Sequence, residues 1–135
     1  MGLWSNLCTI QNKQSGRAAA FVILMNMKTL KFKPHLCEQI LNGEKTATWR
    51  LFDDKDLQKD DKINFVNKDT LESFGEGYIK ELKIKSLGTL VEADWEGHER
   101  FESEEEMYET YRTYYGDKVG PDSELKIIDF HFKVL

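Results

Sequence analysis

The run Gly43-Glu44-Lys45-Thr46-Ala47-Thr48-Trp49-Arg50 gathers an ammonium, two hydroxyls and a guanidinium into one short stretch. On an extended chain successive side chains point to opposite faces. Thr46, Thr48 and Arg50 then share one face, and Ala47 and Trp49 the other. Such a polar row suits the gripping of a polar ligand. A lysine near apolar walls or a second cation gives up its proton more easily and can act as a base. A threonine beside a base can act as a nucleophile. Each residue also has a plain structural reading: Lys45 as a solvated turn lysine, Thr48 as a β-branched strand residue. Arg50 either grips a phosphate or carboxylate with its planar fork or pairs with Asp53 or Asp54. Trp49 reads first as core and second as a stacking platform for a base, and Trp95 shares the ambiguity.

The elements that must position these groups follow from pattern. Thr29 to Phe32 reads as a strand. Pro34, with its fixed φ, opens a short helix whose apolar face is Leu36, Ile40 and Leu41, with Gly43 at its C-terminal end. Thr46 to Arg50 is the extended segment, and Leu51 to Asp61 a charged loop. Lys62 to Asn67 and Gly77 to Leu87 read as strands separated by a turn region. Within it Gly75-Glu76-Gly77 reads as a hairpin turn, because the lysine and hydroxyl of a phosphate loop do not follow. Ser103 and Glu106 form a capping-box pattern, opening a helix to about Tyr115 with a stripe of Met107, Tyr111 and Tyr114. In the last segment Ile128, Phe130, Phe132 and Val134 alternate with Asp129, His131 and Lys133, the mark of a half-buried strand. Strands interrupted by two short helices predict an α+β fold, a small mixed β-barrel flanked by those helices.

Composition sets the outer limits. A chain of 135 residues is one domain on length. Its net charge of -5 and pI near 5.3 are not those of a protein that binds nucleic acid through overall charge. Any phosphate contact has to come from a local patch, expected on the face bearing Lys45, Arg50, Lys80, Lys83 and Lys85. The acidic run Glu102 to Glu106 suits a helix start and would repel nucleic acid on its own side. Cys8 and Cys37 have no metal-ligand spacing and suit a reducing cytoplasm. His98 and His131 are too isolated to suggest a metal, so no metal and no cofactor are expected. The apolar run Ala18 to Met25 is far shorter than the roughly 20 residues needed to cross a bilayer. Residues 1-26 are read first as a leader or poorly ordered extension, second as an extra strand or helix, third as a secretion signal. Residues 27-135 are read as the folded domain.

The motif resembles the signature of the ASCH domain, a family of small barrels in the PUA-like superfamily. That signature is similar to Gly-x-Lys-x-x-Thr-x-Arg after a helix ending Ile-Leu-x-Gly. Here Ile40-Leu41-Asn42-Gly43 and Lys45, Thr48 and Arg50 fill every fixed position, and the resemblance covers roughly Met27 to Leu135. The resemblance implies a catalytic lysine and threonine, Lys45 and Thr48, as in the amidohydrolase members that deacylate N-acetylated cytidine. It also implies a later glutamate just before the second helix. In Trp95-Glu96-Gly97-His98-Glu99-Arg100-Phe101, counting back from the helix cap favours Glu99 and the Glu-Gly pair favours Glu96, so both are carried. Gly43, Thr46, Trp49 and Arg50 are the implied substrate- or RNA-binding residues. The expected partner is a small nucleoside; the alternative is an RNA-binding or modified-nucleotide-binding module without catalysis.

Overall fold

The computed structural model describes residues 27–135. The readings of residues 1-26, including the run Ala18 to Met25, lie outside the described residues. Strand β1 (Lys28–Phe32) leads into helix α1 (Pro34–Leu41), then β2 (Ala47–Leu51), β3 (Lys62–Asn67) and β4 (Ser73–Ser86). Two short 3-10 turns follow, Leu87–Thr89 and Glu92–Trp95, then helix α2 (Glu104–Tyr115) and β5 (Glu124–Val134). The five strands form one sheet in the order β1-β3-β4-β5-β2, with β1 parallel to β3 and every other pairing antiparallel. This is the expected α+β arrangement, a curled mixed sheet forming a half-barrel with two helices. Its open edges are β1 and β2.

β5 explains how one sheet supports two cores. Ile128 and Phe130 point into the curl with Leu30, Phe32, Ile63, Phe65 and Ile79, where α1 adds Leu36, Cys37 and Ile40. Leu125 and Ile127, on the opposite face, pack with Trp49, Leu51, Leu87, Met107 and Tyr111 beneath α2. The first half of β5 is therefore buried on both sides, while Val134 at its far end is 60% exposed. The alternation of Ile128, Phe130, Phe132 and Val134 thus marks one face correctly but overstates how far its burial extends.

Three further sequence expectations are corrected. Gly75-Glu76-Gly77 is not a turn but lies inside β4, paired with β5. The glycines are there because β5 passes too close for a side chain: a Cβ on Gly77 would sit 1.7 Å from the His131 carbonyl oxygen. Leu41 does not join the core and is exposed, while Cys37 takes its place on the buried side of α1. Lys83 and Lys85 do not share a face with Lys45; they converge on the buried carboxylate of Asp94 at 2.7 and 2.6 Å. The capping box at α2 holds in part. Ser103 accepts from the Glu106 amide at 3.1 Å, and Glu106 reaches back to the amide of Glu102. Among the described residues no helix is long and apolar enough to cross a membrane.

Candidate functional site

Lys45 enters the fold at the junction of α1 and β2. Its amide donates to the Gln39 carbonyl at 3.0 Å, so the end of α1 fixes the backbone just before the strand begins. The side chain is 2% exposed. Burying an ammonium is costly unless it is paired, and the partner comes from the segment ahead of α2. There the Gly97 carbonyl accepts from the amides of Thr46 and Ala47, at 2.9 and 3.1 Å, docking the segment onto β2. Gly97 has a φ of +76°, and a Cβ on it would lie 2.1 Å from the Thr46 hydroxyl oxygen. Only glycine allows this approach. Two residues later, Glu99 accepts a hydrogen bond from the Lys45 ammonium through Oε1.

The electrostatics of this pair follow from its surroundings. Burial pushes the Lys45 pKa down; Glu99 opposes that fall and the Arg50 guanidinium adds to it, leaving it below the usual lysine range. Burial acts to raise the Glu99 pKa, but the charge and hydrogen bond of the Lys45 ammonium outweigh it and hold the carboxyl below its usual value. His98 itself is buried, and that burial together with the Lys45 charge pushes its pKa down to about 3. It is therefore neutral at pH 7. Its Nδ1 sits 2.7 Å from the Glu99 carbonyl oxygen, which can only accept, so Nδ1 carries the proton. Nε2 then accepts from the Tyr111 hydroxyl at 3.2 Å. The imidazole stacks on Trp49 with centroids 4.0 Å apart. His98 thus clamps the backbone of Glu99 between α2 and β2.

These residues open into a cleft of about 290 Å³ at the seam between the two sheet edges. β2 contributes Thr48, Trp49 and Arg50, β1 contributes Thr29, Lys31 and Phe32, and α2 contributes Tyr111, Tyr114 and Tyr115. Arg50 spans the seam: Nη2 donates to the Lys31 carbonyl at 3.1 Å, and the guanidinium lies 4.7 Å from the Phe32 ring centroid. It does not pair with Asp53 or Asp54. Asp53 is instead held by Lys126 at 2.8 Å, because the loop after β2 folds back toward β5. Thr48 is 5% exposed, and its hydroxyl makes no hydrogen bond with another described residue.

Thr48, Trp49, Arg50 and Glu99 thus line one cleft, Lys45 reaches it through its bond to Glu99, and the other candidates lie outside. Glu96 is exposed, Gly43 follows the end of α1, and Thr46 is exposed under Gly97 rather than in the cleft. Trp49 is both core and wall, at 2% exposure. The sequence reading missed His98, set aside for want of a metal partner, and the polar ends of the α2 tyrosines, visible only as an apolar stripe. Among the described residues no group of His, Cys, Asp and Glu side chains is arranged to hold a metal ion.

The curled, mixed half-barrel with two helices matches the fold of solved ASCH domains. This chain thus has an ASCH-like fold. It is similar to the ASCH domain of Lactobacillus crispatus (TM-score 0.54, 16% identity, 91% of this chain and 94% of that one). A variant of ASCH from Zymomonas mobilis aligns at TM-score 0.52 and 19% identity over 76% of this chain and 67% of that one. An Enterococcus faecalis protein described under the DUF984 family aligns at TM-score 0.61 and 16% identity, over 75% and 68%. No protein-family model matches the sequence, and no curated protein matches it.

Proposed function

We propose that the cleft is the active site of a small amidohydrolase acting on N-acylated cytidine or a related nucleoside. The observation that carries this reading is the buried Lys45–Glu99 pair, whose carboxylate shares an aromatic-walled cleft with Thr48, a hydroxyl with no hydrogen-bond partner among the described residues. At rest the pair is ammonium with carboxylate, and the burial that lowers the Lys45 pKa brings its amine form within reach. In the amine form Lys45 takes the proton of Thr48 Oγ1 as that oxygen attacks the acyl carbonyl carbon. The C–N bond then breaks, and the leaving amine takes the proton back from the pair. An acyl-threonine ester remains. Water, deprotonated by the same pair, attacks it; the ester C–O bond breaks, and the carboxylic acid leaves while Thr48 regains its hydroxyl proton. Tyr114 and Tyr115, the less buried tyrosines of the cleft, supply flat walls for a base.

The alternative is an RNA-binding module without catalysis, favoured by the lysines at the mouth of the cleft, Lys31, Lys33, Lys55 and Lys68. Against it, Lys45 and Trp49 are each 2% exposed. Neither is accessible to a phosphodiester backbone or a splayed base. The test is acetate release from N-acetylcytidine. Lys45→Ala and Thr48→Ala should each abolish it, with non-additive effects because nucleophile and base act as one unit. Lys45→Arg should fail too, since a guanidinium stays protonated. An absence of turnover on any acylated nucleoside by folded wild-type protein would sink the hydrolase reading.

A further inference from the structure

The cations of the described residues are unevenly committed. Lys28, Lys45, Lys59, Lys83, Lys85, Lys126 and Arg100 each have a carboxylate partner. Ten cations form no salt bridge with any described residue; Lys62, Lys80, Lys118, Lys133 and Arg112 are scattered elsewhere, but Lys31, Lys33, Lys55, Lys68 and Arg50 all line one cleft. Among the described residues its only acidic lining residue is Glu99, already bound to Lys45. A concave site lined by charge of one sign focuses its field on a ligand of the opposite sign.

A second observation points the same way. Among the described residues two buried side-chain nitrogens have no acceptor, Arg50 Nε and Trp49 Nε1, and both belong to residues of this cleft. Buried donors are nearly always satisfied, so two orphans in one place call for an acceptor from outside the described residues. The lysines also come from separate elements. Lys31 is in β1, Lys33 precedes α1, Lys55 lies in the loop after β2, and Lys68 follows β3 with its amide held by the Phe32 carbonyl at 2.8 Å. No single helix or strand pattern accounts for their meeting.

We infer that the ligand of this cleft carries an anionic phosphate, held at the mouth by Lys31, Lys33, Lys55 and Lys68, so that a nucleoside 5′-monophosphate fits better than the neutral nucleoside. The inference rests on the reading of the cleft as a nucleoside site and assigns the lysines to the phosphate. The volume near 290 Å³ lies at the small end of ligand cavities. It favours one nucleotide over a strand.

Calorimetric titration tests this without requiring turnover. Wild-type protein is titrated with cytidine, cytidine 5′-monophosphate, inorganic phosphate and a short single-stranded RNA. The same is done with the double variant Lys31→Gln/Lys68→Gln, both exposed positions, after its melting curve has shown it folded. The monophosphate should bind at least about ten-fold tighter than cytidine, each lysine contributing roughly five-fold. The advantage should shrink toward unity in the variant and with added salt. Equal affinity for the two ligands overturns the inference, even if N-acetylcytidine is hydrolysed. Binding of RNA alone, with a lysine-dependent salt slope, overturns it in favour of a strand-binding surface. Lysine-dependent binding of the monophosphate with no hydrolysis of any acyl substrate upholds the phosphate site and removes the hydrolase reading.

Discussion

Replacing Glu99 by Gln removes the only carboxylate among the described residues that pairs with the Lys45 ammonium and leaves the surrounding shape nearly intact. Lys45 is 2% exposed, so its charge is then buried without compensation. Breaking a buried pair in this way typically costs about 3–5 kcal/mol. Lys45 has an escape, however: it can lose its proton. Deprotonating a lysine of ordinary pKa at pH 7 costs about 4.6 kcal/mol, which caps the penalty there. The sign of the pH dependence follows. In the variant the folded Lys45 pKa drops further below its unfolded value, so between the two the unfolded chain binds more protons. Stability must then rise with pH, by up to about 1.4 kcal/mol per unit, until the unfolded pKa near 10.4 is reached. Urea denaturation of wild type and Glu99→Gln at pH 7, 8 and 9 measures this. The difference should be about 3–4.6 kcal/mol at pH 7 and below about 2 kcal/mol at pH 9. A loss under about 0.5 kcal/mol, or a larger one indifferent to pH, would show that Glu99 does not hold a buried ammonium.

Gly77→Ala should lower stability by about 3 kcal/mol, because the new methyl meets the β5 backbone. Gly120→Ala, with nothing within 4 Å of the added carbon, should stay within about 0.5 kcal/mol, and paired melting curves compare them. His98 should show no imidazole titration by NMR from pH 8 to 5, since burial holds its pKa near 3. Its unfolded form takes up a proton near 6.5, so stability declines as pH falls from there toward 3; a midpoint near 6.5 in the folded protein would contradict the clamp on Glu99. Asp94, whose pKa burial acts to raise but Lys83 and Lys85 hold well below the usual range, contributes stability above about pH 3.9 that is lost on further acidification. Asp94→Asn should flatten that acid limb in denaturation curves, and an unchanged limb would refute the assignment.

Much of the fold was legible because it rests on local signals. Pro34, the Ser103 cap and the alternation of β5 each act over a few residues, and each element lies where its signal stands. The failures came where the cause is distant. Gly75 and Gly77 look like a turn until β5 is known to pass over them, and Leu41 looks like core until the angle of α1 is set. The site divides in the same way. Lys45, Thr48 and Arg50 share one motif, but Glu99 reaches Lys45 only because Gly97 docks on β2. Nothing in the spacing of Glu96 and Glu99 separates an exposed acid from a paired one. The mouth lysines are dispersed over four stretches of chain, so no sequence pattern gathers them. Their place was assigned instead to Lys83 and Lys85, which pair with Asp94.

The central claim is that Thr48, activated by the Lys45–Glu99 pair, carries the acyl group during turnover. Mass mapping of peptides from protein quenched in acid while N-acetylcytidine is being consumed tests it most directly. One acetyl group should appear on the peptide containing Thr48, in base-labile ester linkage, and should be absent from Thr48→Val. Steady turnover with that peptide unmodified, or an acetyl group found on Lys45 instead, would contradict the mechanism.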